Sequence, residues 1–342
     1  MTVNELMAQI RTEMTGDLKK DMQHLRDIAE DIVNEPNANE LSAAVAEYAF
    51  SLLPDDVRAN FAETTTIDGK PLDQVFRDAL KLVNENNCDE AEPLLAALSG
   101  KIEKYFENSD TRWFSFRNPF EYHMYRYFYP EDTEFDRAPF DFAQYLSLYG
   151  FVLLEQKQAR AAEKVLERSI RFNPVAADMR FELAELYKFS NNQEKLLTVN
   201  RETLRLCTSA DRIARVLANM GYYCYTAQDL YSAAVFYFES IRFQPSKAVE
   251  FELQDVLKRM KTFGQKFTPP THGQTIDTYE KYGLQPPPNS ELVNLAVTLA
   301  KSADEQQRYD LERLFLRTAF DLTNDQHFMD EVKRLGETEA QN

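Results

Sequence analysis

The sequence predicts an all-α protein organised around a solenoid of stacked helical hairpins. Three observations carry this. Glycine is scarce, nine in 342 residues, and β-branched runs are few, which favours helix over sheet. Residues 145–174, YLSLYGFVLLEQKQARAAEKVLERSIRFNP, read as two amphipathic helices joined by a polar turn at 156–160. Small residues then recur at the spacing of one helix pair. Gly150, Ala162 and Pro174 are followed by Ala184, then by Gly221, Ala233 and Pro245. Gly150 and Ala184 stand 34 residues apart and Ala184 and Gly221 stand 37 apart. Such a period is the mark of a helical solenoid.

Taken in order, residues 1–70 form an acidic helical region. Apolar residues three or four apart (Val3, Met7, Ile10, Met14, Leu18, Met22, Leu25, Ala29, Ile32) predict a long helix over 2–33 with Gly16 as an interruption. The stripe fits a coiled-coil seam or packing on the next helix. It is short for an autonomous coiled coil, so packing is the reading taken. A turn follows at 34–40, a helix at 41–53, a brief one from Pro54, and a loop at 64–71 with an Asp-Gly turn. Residues 71–110 hold a degenerate helix pair, with Ala79 and Ala91 at the separation of Gly150 and Ala162 and with Pro93 in the first turn of its second helix.

Residues 111–142 form an aromatic-rich connector. Asn118, Pro119 and Glu121 predict a capped helix over 119–129 with aromatics on two faces, a helix buried on both sides or buried on one and offered to a ligand on the other. The repeats and a capping helix span 143–263. A proline-rich linker with one short helix at 276–282 spans 264–289, a C-terminal pair (291–301 and 305–322) lies within 290–336, and residues 337–342 are expected to be a disordered tail.

The formal net charge is −17, and it is uneven: residues 1–110 carry 10 Lys and Arg against 23 Asp and Glu, whereas 143–245 carry 13 against 11. An acidic chain repels phosphate backbones and anionic lipid, so nucleic acid and membrane are not expected partners. No signal-peptide pattern and no apolar run of spanning length is present, which gives a cytoplasmic expectation by default.

Residues 143–245 resemble tetratricopeptide repeats. The first copy shows Tyr149-Gly150, Leu153, Ala162, Leu166 and Pro174. The second shows Leu183-Ala184, Tyr187 and Leu196, with Thr208 in place of proline; the third shows Met220-Gly221, Cys224, Ala233, Tyr237 and Pro245. The resemblance implies a right-handed solenoid that acts as a protein-binding scaffold, its first helices lining a concave groove for an extended peptide or a partner helix. By register, the implied groove residues are Gln144, Ser147 and Phe151, then Asp178, Phe181, Glu185 and Lys188, then Arg215, Asn219, Tyr222 and Tyr225. Repeats of the chaperone type that clamp a C-terminal carboxylate carry Lys and Asn where Ser147 and Phe151 stand, so that clamp is not expected.

Catalysis is not expected. The four histidines stand in no metal-binding frame, the three cysteines are far apart, and neither a nucleophile elbow nor a phosphate loop occurs. No metal and no cofactor is implied. The expected function is a non-enzymatic adaptor with a protein or peptide partner. Two alternatives stay open: a cytosolic peptide-sensing regulator with the N-terminal bundle as output, and a structural homodimer.

Overall fold

The computed structural model describes residues 1–32, 35–132 and 134–339. Among them are eighteen α-helices, one π-helical turn and two small two-stranded ladders. The chain is an all-α helical-repeat protein in two compact units, residues 1–72 and 73–342.

The first unit contains α1 (Val3–Glu13), α2 (Leu18–Asp31), α3 (Ala38–Ser51) and α4 (Asp55–Thr65). The expected helix over 2–33 is two helices, because Gly16 takes φ +81. The break is held by Asp21, whose carboxylate accepts from the Thr15 and Gly16 amides at 2.8 and 2.9 Å. Leu6, Ile10, Leu25, Ile32, Leu41 and Val45 form a common core, so the apolar stripe packs within the unit. The turn expected at 34–40 is described only from residue 35, and α3 already begins at Ala38. After α4, β1 (Thr66–Ile67) and β2 (Lys70–Pro71) pair antiparallel around Asp68 and Gly69, both at positive φ as a two-residue hairpin turn requires.

Ten helices of the second unit form five hairpins: α5 (Leu72–Asn84) with α6 (Cys88–Ile102), α8 (Phe142–Glu155) with α9 (Ala159–Phe172), α10 (Asp178–Phe189) with α11 (Gln193–Leu206), α12 (Ala210–Thr226) with α13 (Leu230–Phe243), and α16 (Ser290–Glu305) with α17 (Tyr309–Thr323). The others are α7 (Pro119–Phe128), α14 (Lys247–Thr262), α15 (His272–Lys281) and α18 (Gln326–Glu339).

One turn serves all five hairpins. Each first helix ends on a left-handed residue that is not glycine: Asn86, Lys157, Asn191, Gln228 and Gln307, with φ between 52 and 64. The next amide reaches back to the carbonyl five residues earlier (Asn87 to Leu82, Gln158 to Leu153, Asn192 to Tyr187, Asp229 to Cys224, Arg308 to Ala303) at 2.8 or 2.9 Å. This is a Schellman closure, which satisfies a carbonyl the helix end would otherwise leave open. Seven residues before the turn stand Ala79, Gly150, Ala184, Gly221 and Ala300, all buried. Five residues after it stand Ala91, Ala162, Leu196, Ala233 and, in the last hairpin, Glu312.

The first four hairpins stack in order, α6 on α8, α9 on α10, α11 on α12, and α13 on α14. Close approach explains the glycines: a Cβ on Gly150 would lie 2.4 Å from Leu166, and one on Gly221 would lie 2.7 Å from the Tyr237 ring. The fifth hairpin leaves this stack. Its helices pack on α7, and α17 also meets α12. Phe114, Phe116, Phe120, Met124 and Tyr125 share one core with Leu292, Ala296, Phe315 and Ala319. The aromatic helix packs against the repeats through Val175 and against the C-terminal hairpin, while Tyr122 and Tyr127 stay exposed at 42% and 46%.

Several expected boundaries shift. The segment at 264–289 contains α15 from His272, and it is docked: Tyr279 and Tyr282 pack on Phe236 of α13 with centroids 5.3 and 5.7 Å away. The C-terminal helices run to Glu305 and start again at Tyr309, and α18, which the sequence pattern does not announce, packs on α17. The expected tail at 337–342 is corrected in its first three residues, which complete α18; residues 340–342 lie outside the described residues.

Candidate functional site

The groove residues predicted from the repeats lie on α8, α10 and α12. The end-of-helix turn sets the register, since Gln144, Asp178 and Arg215 each stand thirteen residues before it. By the same count α14, which ends on Gly264 at φ +70, adds Phe251. This side chain is 73% exposed, and sequence reading misses it because α14 looks there like a cap and nothing more.

Four of the expected residues come together at the middle of the strip. Lys188 donates to Glu185 at 2.9 Å and lies over the Tyr222 ring at 5.6 Å. Arg215 lies 3.7 Å from Glu182 and 4.0 Å from Glu185. Tyr225, half-buried, lies under Arg259 of α14 at 5.1 Å, and Arg259 donates to Gln228 at 2.6 Å. Phe151 is half-buried on α8, one turn before Glu155; Ser147 is half-buried and Gln144 exposed.

Three expected groove residues do other work. Phe181 is buried at 3% exposure, with the Arg215 guanidinium over its ring at 4.3 Å. Asn219 is buried at 2% and turned toward α11, where its amide donates to Asn200 at 3.3 Å. It is corrected from a groove contact to an inter-helix hydrogen bond. Asp178 accepts from Arg212 at 2.6 and 2.8 Å and from Arg117 of the aromatic connector at 2.8 Å. Burial raises the pKa of Asp178, but the two guanidinia outweigh it and hold the carboxyl at about 2.

Arg117 also joins the connector to itself. Its backbone amide and side chain donate to Glu121, whose carboxylate accepts from Asn173 at 2.7 Å as well. The capping box expected at 118–121 is thus half formed. Asn118 accepts from the Glu121 amide at 3.0 Å, but the Glu121 carboxylate turns to Arg117 and Asn173 rather than back to the cap.

Residues missed by sequence reasoning include Glu182 and Arg259. Burial pushes the pKa of Glu182 up, Glu185 and Glu155 add to this, and Arg215 opposes it. Glu182 and Glu185 face Lys188 and Arg215, which lie over the Tyr222 and Phe181 rings. Cations over tyrosine rings contribute about 0.5–1 kcal/mol at exposed sites.

The chemistry-bearing groups lie elsewhere and are quiet. Burial pushes the Cys88, Cys207 and Cys224 thiols up, Cys224 to about 12, the opposite of an activated nucleophile. His123 is half-buried against Phe315, and burial pushes its pKa down. Among the described residues, no group of three His, Cys, Asp or Glu is placed to hold a metal, and no helix is long and apolar enough to cross a membrane.

No protein-family model and no curated protein matches the chain. Among solved structures it is similar to the pilF protein of Pseudomonas aeruginosa, at 12% identity over 77% of this chain and 96% of that one, with a TM-score of 0.40. It is also similar to the C-terminal part of a TPR repeat-containing protein from Cytophaga hutchinsonii, at 10% identity over 90% and 98% with a TM-score of 0.40. A third is the P58(IPK) TPR domain, at 11% identity over 99% and 98% with a TM-score of 0.30. The chain thus resembles tetratricopeptide-repeat proteins. At these scores the likeness adds nothing to the turns and small-residue contacts, which define the repeat by themselves.

Proposed function

We propose that this protein is an interaction scaffold, and that the concave strip of α8, α10, α12 and α14 receives an extended peptide or a helix of a partner protein. The observation that carries this is where the aromatic connector goes. Its rings contact one another, Phe106, Phe142, Tyr145 and Phe315, and among the described residues no ring pair joins them to Phe151, Tyr222 or Tyr225. Among the expected groove residues, the connector hydrogen-bonds Asp178, at the end of the strip, through Arg117. Half-buried aromatics beside paired charges offer low-entropy apolar contact together with groups able to satisfy a backbone or a charged side chain. The mixed signs favour a partner segment that itself carries both charges.

The test is affinity capture with the full chain and with a Phe151→Ala/Tyr222→Ala variant, neither of whose positions is in the core. Partners retained by the wild type and lost by the variant support the groove. A variant that keeps every partner, with an unchanged melting temperature, sinks it.

A further inference from the structure

A second recess lies away from the concave strip, between the aromatic connector and the end of α9. It is a cleft of about 800 Å³, within the range that drug-sized ligands occupy. Its walls include Trp113, Tyr125, Tyr129 and Phe172. Three guanidinia, Arg112, Arg171 and Arg180, line it against two carboxylates, Glu107 and Asp132. In a chain of net charge −17, this is a locally cationic place.

Both carboxylates are already engaged. Glu107 accepts from Arg168 through both oxygens at 2.8 and 3.0 Å, and Asp132 accepts from Arg112 and the Tyr125 hydroxyl. Arg171 is left at the rim, 69% exposed and 4.0 Å from Glu107. Arg180 is left inside. It is buried at 6% exposure, its Nη1 donates to the Ala176 carbonyl at 3.3 Å, and its Nε makes no hydrogen bond. The carboxylate of Glu202 is 3.9 Å from that Nε, beyond hydrogen-bond reach. Burial pushes the Arg180 pKa down, a sign that the folded chain does not fully compensate this charge. A buried guanidinium with a free donor is costly to keep, and an arriving anion removes the cost. Next to it, Tyr129 stacks on Tyr125 at 4.8 Å and remains 45% exposed.

We propose that this cleft binds a small aromatic anion, a flat ring carrying a carboxylate or a phosphate, with the anion on Arg180 and Arg171 and the ring against Trp113 and Tyr129. The planar guanidinium fork matches both oxyanions, and an offset stack on tyrosine or tryptophan selects a ring. The inference stands on the buried arginine and does not depend on the concave groove.

Trp113 is the only tryptophan in the chain, so its emission reports directly on the cleft. The experiment titrates the full chain with phenyl phosphate, benzoate and inorganic phosphate. A saturable change with phenyl phosphate or benzoate is expected, and which of the two binds tighter assigns the oxyanion. Inorganic phosphate should bind about tenfold weaker, because it lacks the ring. Arg171→Ala and Arg180→Lys should each weaken binding several-fold, and Tyr222→Ala in the concave strip should leave it unchanged. If Arg180→Lys fails to fold, Arg171→Ala and Tyr129→Ala decide the location. Absence of any saturable change overturns the site. Equal affinity for inorganic and phenyl phosphate overturns the ring, and binding unaffected by Arg171→Ala and Tyr129→Ala overturns its place.

Discussion

The hairpins α12/α13 and α16/α17 share one turn and opposite fates. In the first, Gly221 lets Tyr237 lie against the helix backbone, Ala233 stands after the turn, and the pair stacks between α11 and α14. In the last, Ala300 and Glu312 hold those positions, and the pair packs sideways on α7. The turn is local chemistry and repeats faithfully. Stacking is not set by the turn, and five residues after it the last hairpin carries the buried Glu312 where α12/α13 carries Ala233.

The largest test of this contrast is Gly221→Val. Its Cβ alone would lie 2.7 Å from Tyr237, and overpacking there is expected to cost about 3 kcal/mol, read as a lower denaturant midpoint. The opposite change of size at the equivalent position of α16, Ala300→Gly, should cost only about 1 kcal/mol through helix propensity. Equal losses would mean that close approach does not distinguish the two hairpins.

Next comes Asp178, which ties the connector and α12 to the stack. Its folded pKa of about 2 lies below the ordinary 3.8, so its contribution is present above pH 4 and lost as pH falls from about 4 to 2. That gap between the folded and unfolded carboxyl corresponds to about 2 kcal/mol. Asp178→Asn should abolish that segment of the acid-unfolding curve while costing a similar amount at pH 7; a variant that keeps the acid transition would show that the pair contributes nothing there.

Glu312 is expected to act with the opposite sign. Burial raises its carboxyl pKa above 4.5, Asp304 adds to this, and one oxygen makes no hydrogen bond. The protonated form is the one the fold prefers, so stability from this group is full below pH 4.5 and is lost as pH rises toward the elevated folded value. Glu312→Ala should therefore stabilise at pH 7 by about 1 kcal/mol and flatten the pH dependence that begins above pH 4.5. Destabilisation by Glu312→Ala at both pH values would show that the carboxylate is satisfied.

The smallest effect belongs to the shared turn. Lys157→Gly and Gln307→Gly relieve a left-handed conformation and should each stabilise by about 0.5–1 kcal/mol. Similar gains in the two hairpins, measured by chemical denaturation, would confirm that the turn is indifferent to how its hairpin packs.

The repeat was legible in sequence because close helix contact restricts side-chain size at fixed intervals, and Gly150, Ala184 and Gly221 record that. The fifth hairpin was legible only as a helix pair, since Glu312 stands where three of the other copies carry alanine and one carries leucine, and Asn324 stands where Pro174 and Pro245 do. The groove residues were read from register, which specifies direction along a helix but not what arrives from elsewhere. Phe181 is covered by Arg215, Asn219 is claimed by Asn200 and Asp178 by Arg117, and each partner lies on another element. Arg180 carried no signal at all, because a buried arginine reads in sequence like any exposed one.

The shared core of Phe120 with Leu292 bears on how the chain is made. These residues are 172 apart in sequence, so at roughly 5–20 residues per second α7 leaves the ribosome about ten to thirty seconds before its partner helix exists. Through that interval its aromatic face has only half its cover. The nascent chain is vulnerable at α7, and a C-terminal truncation would make that temporary exposure permanent.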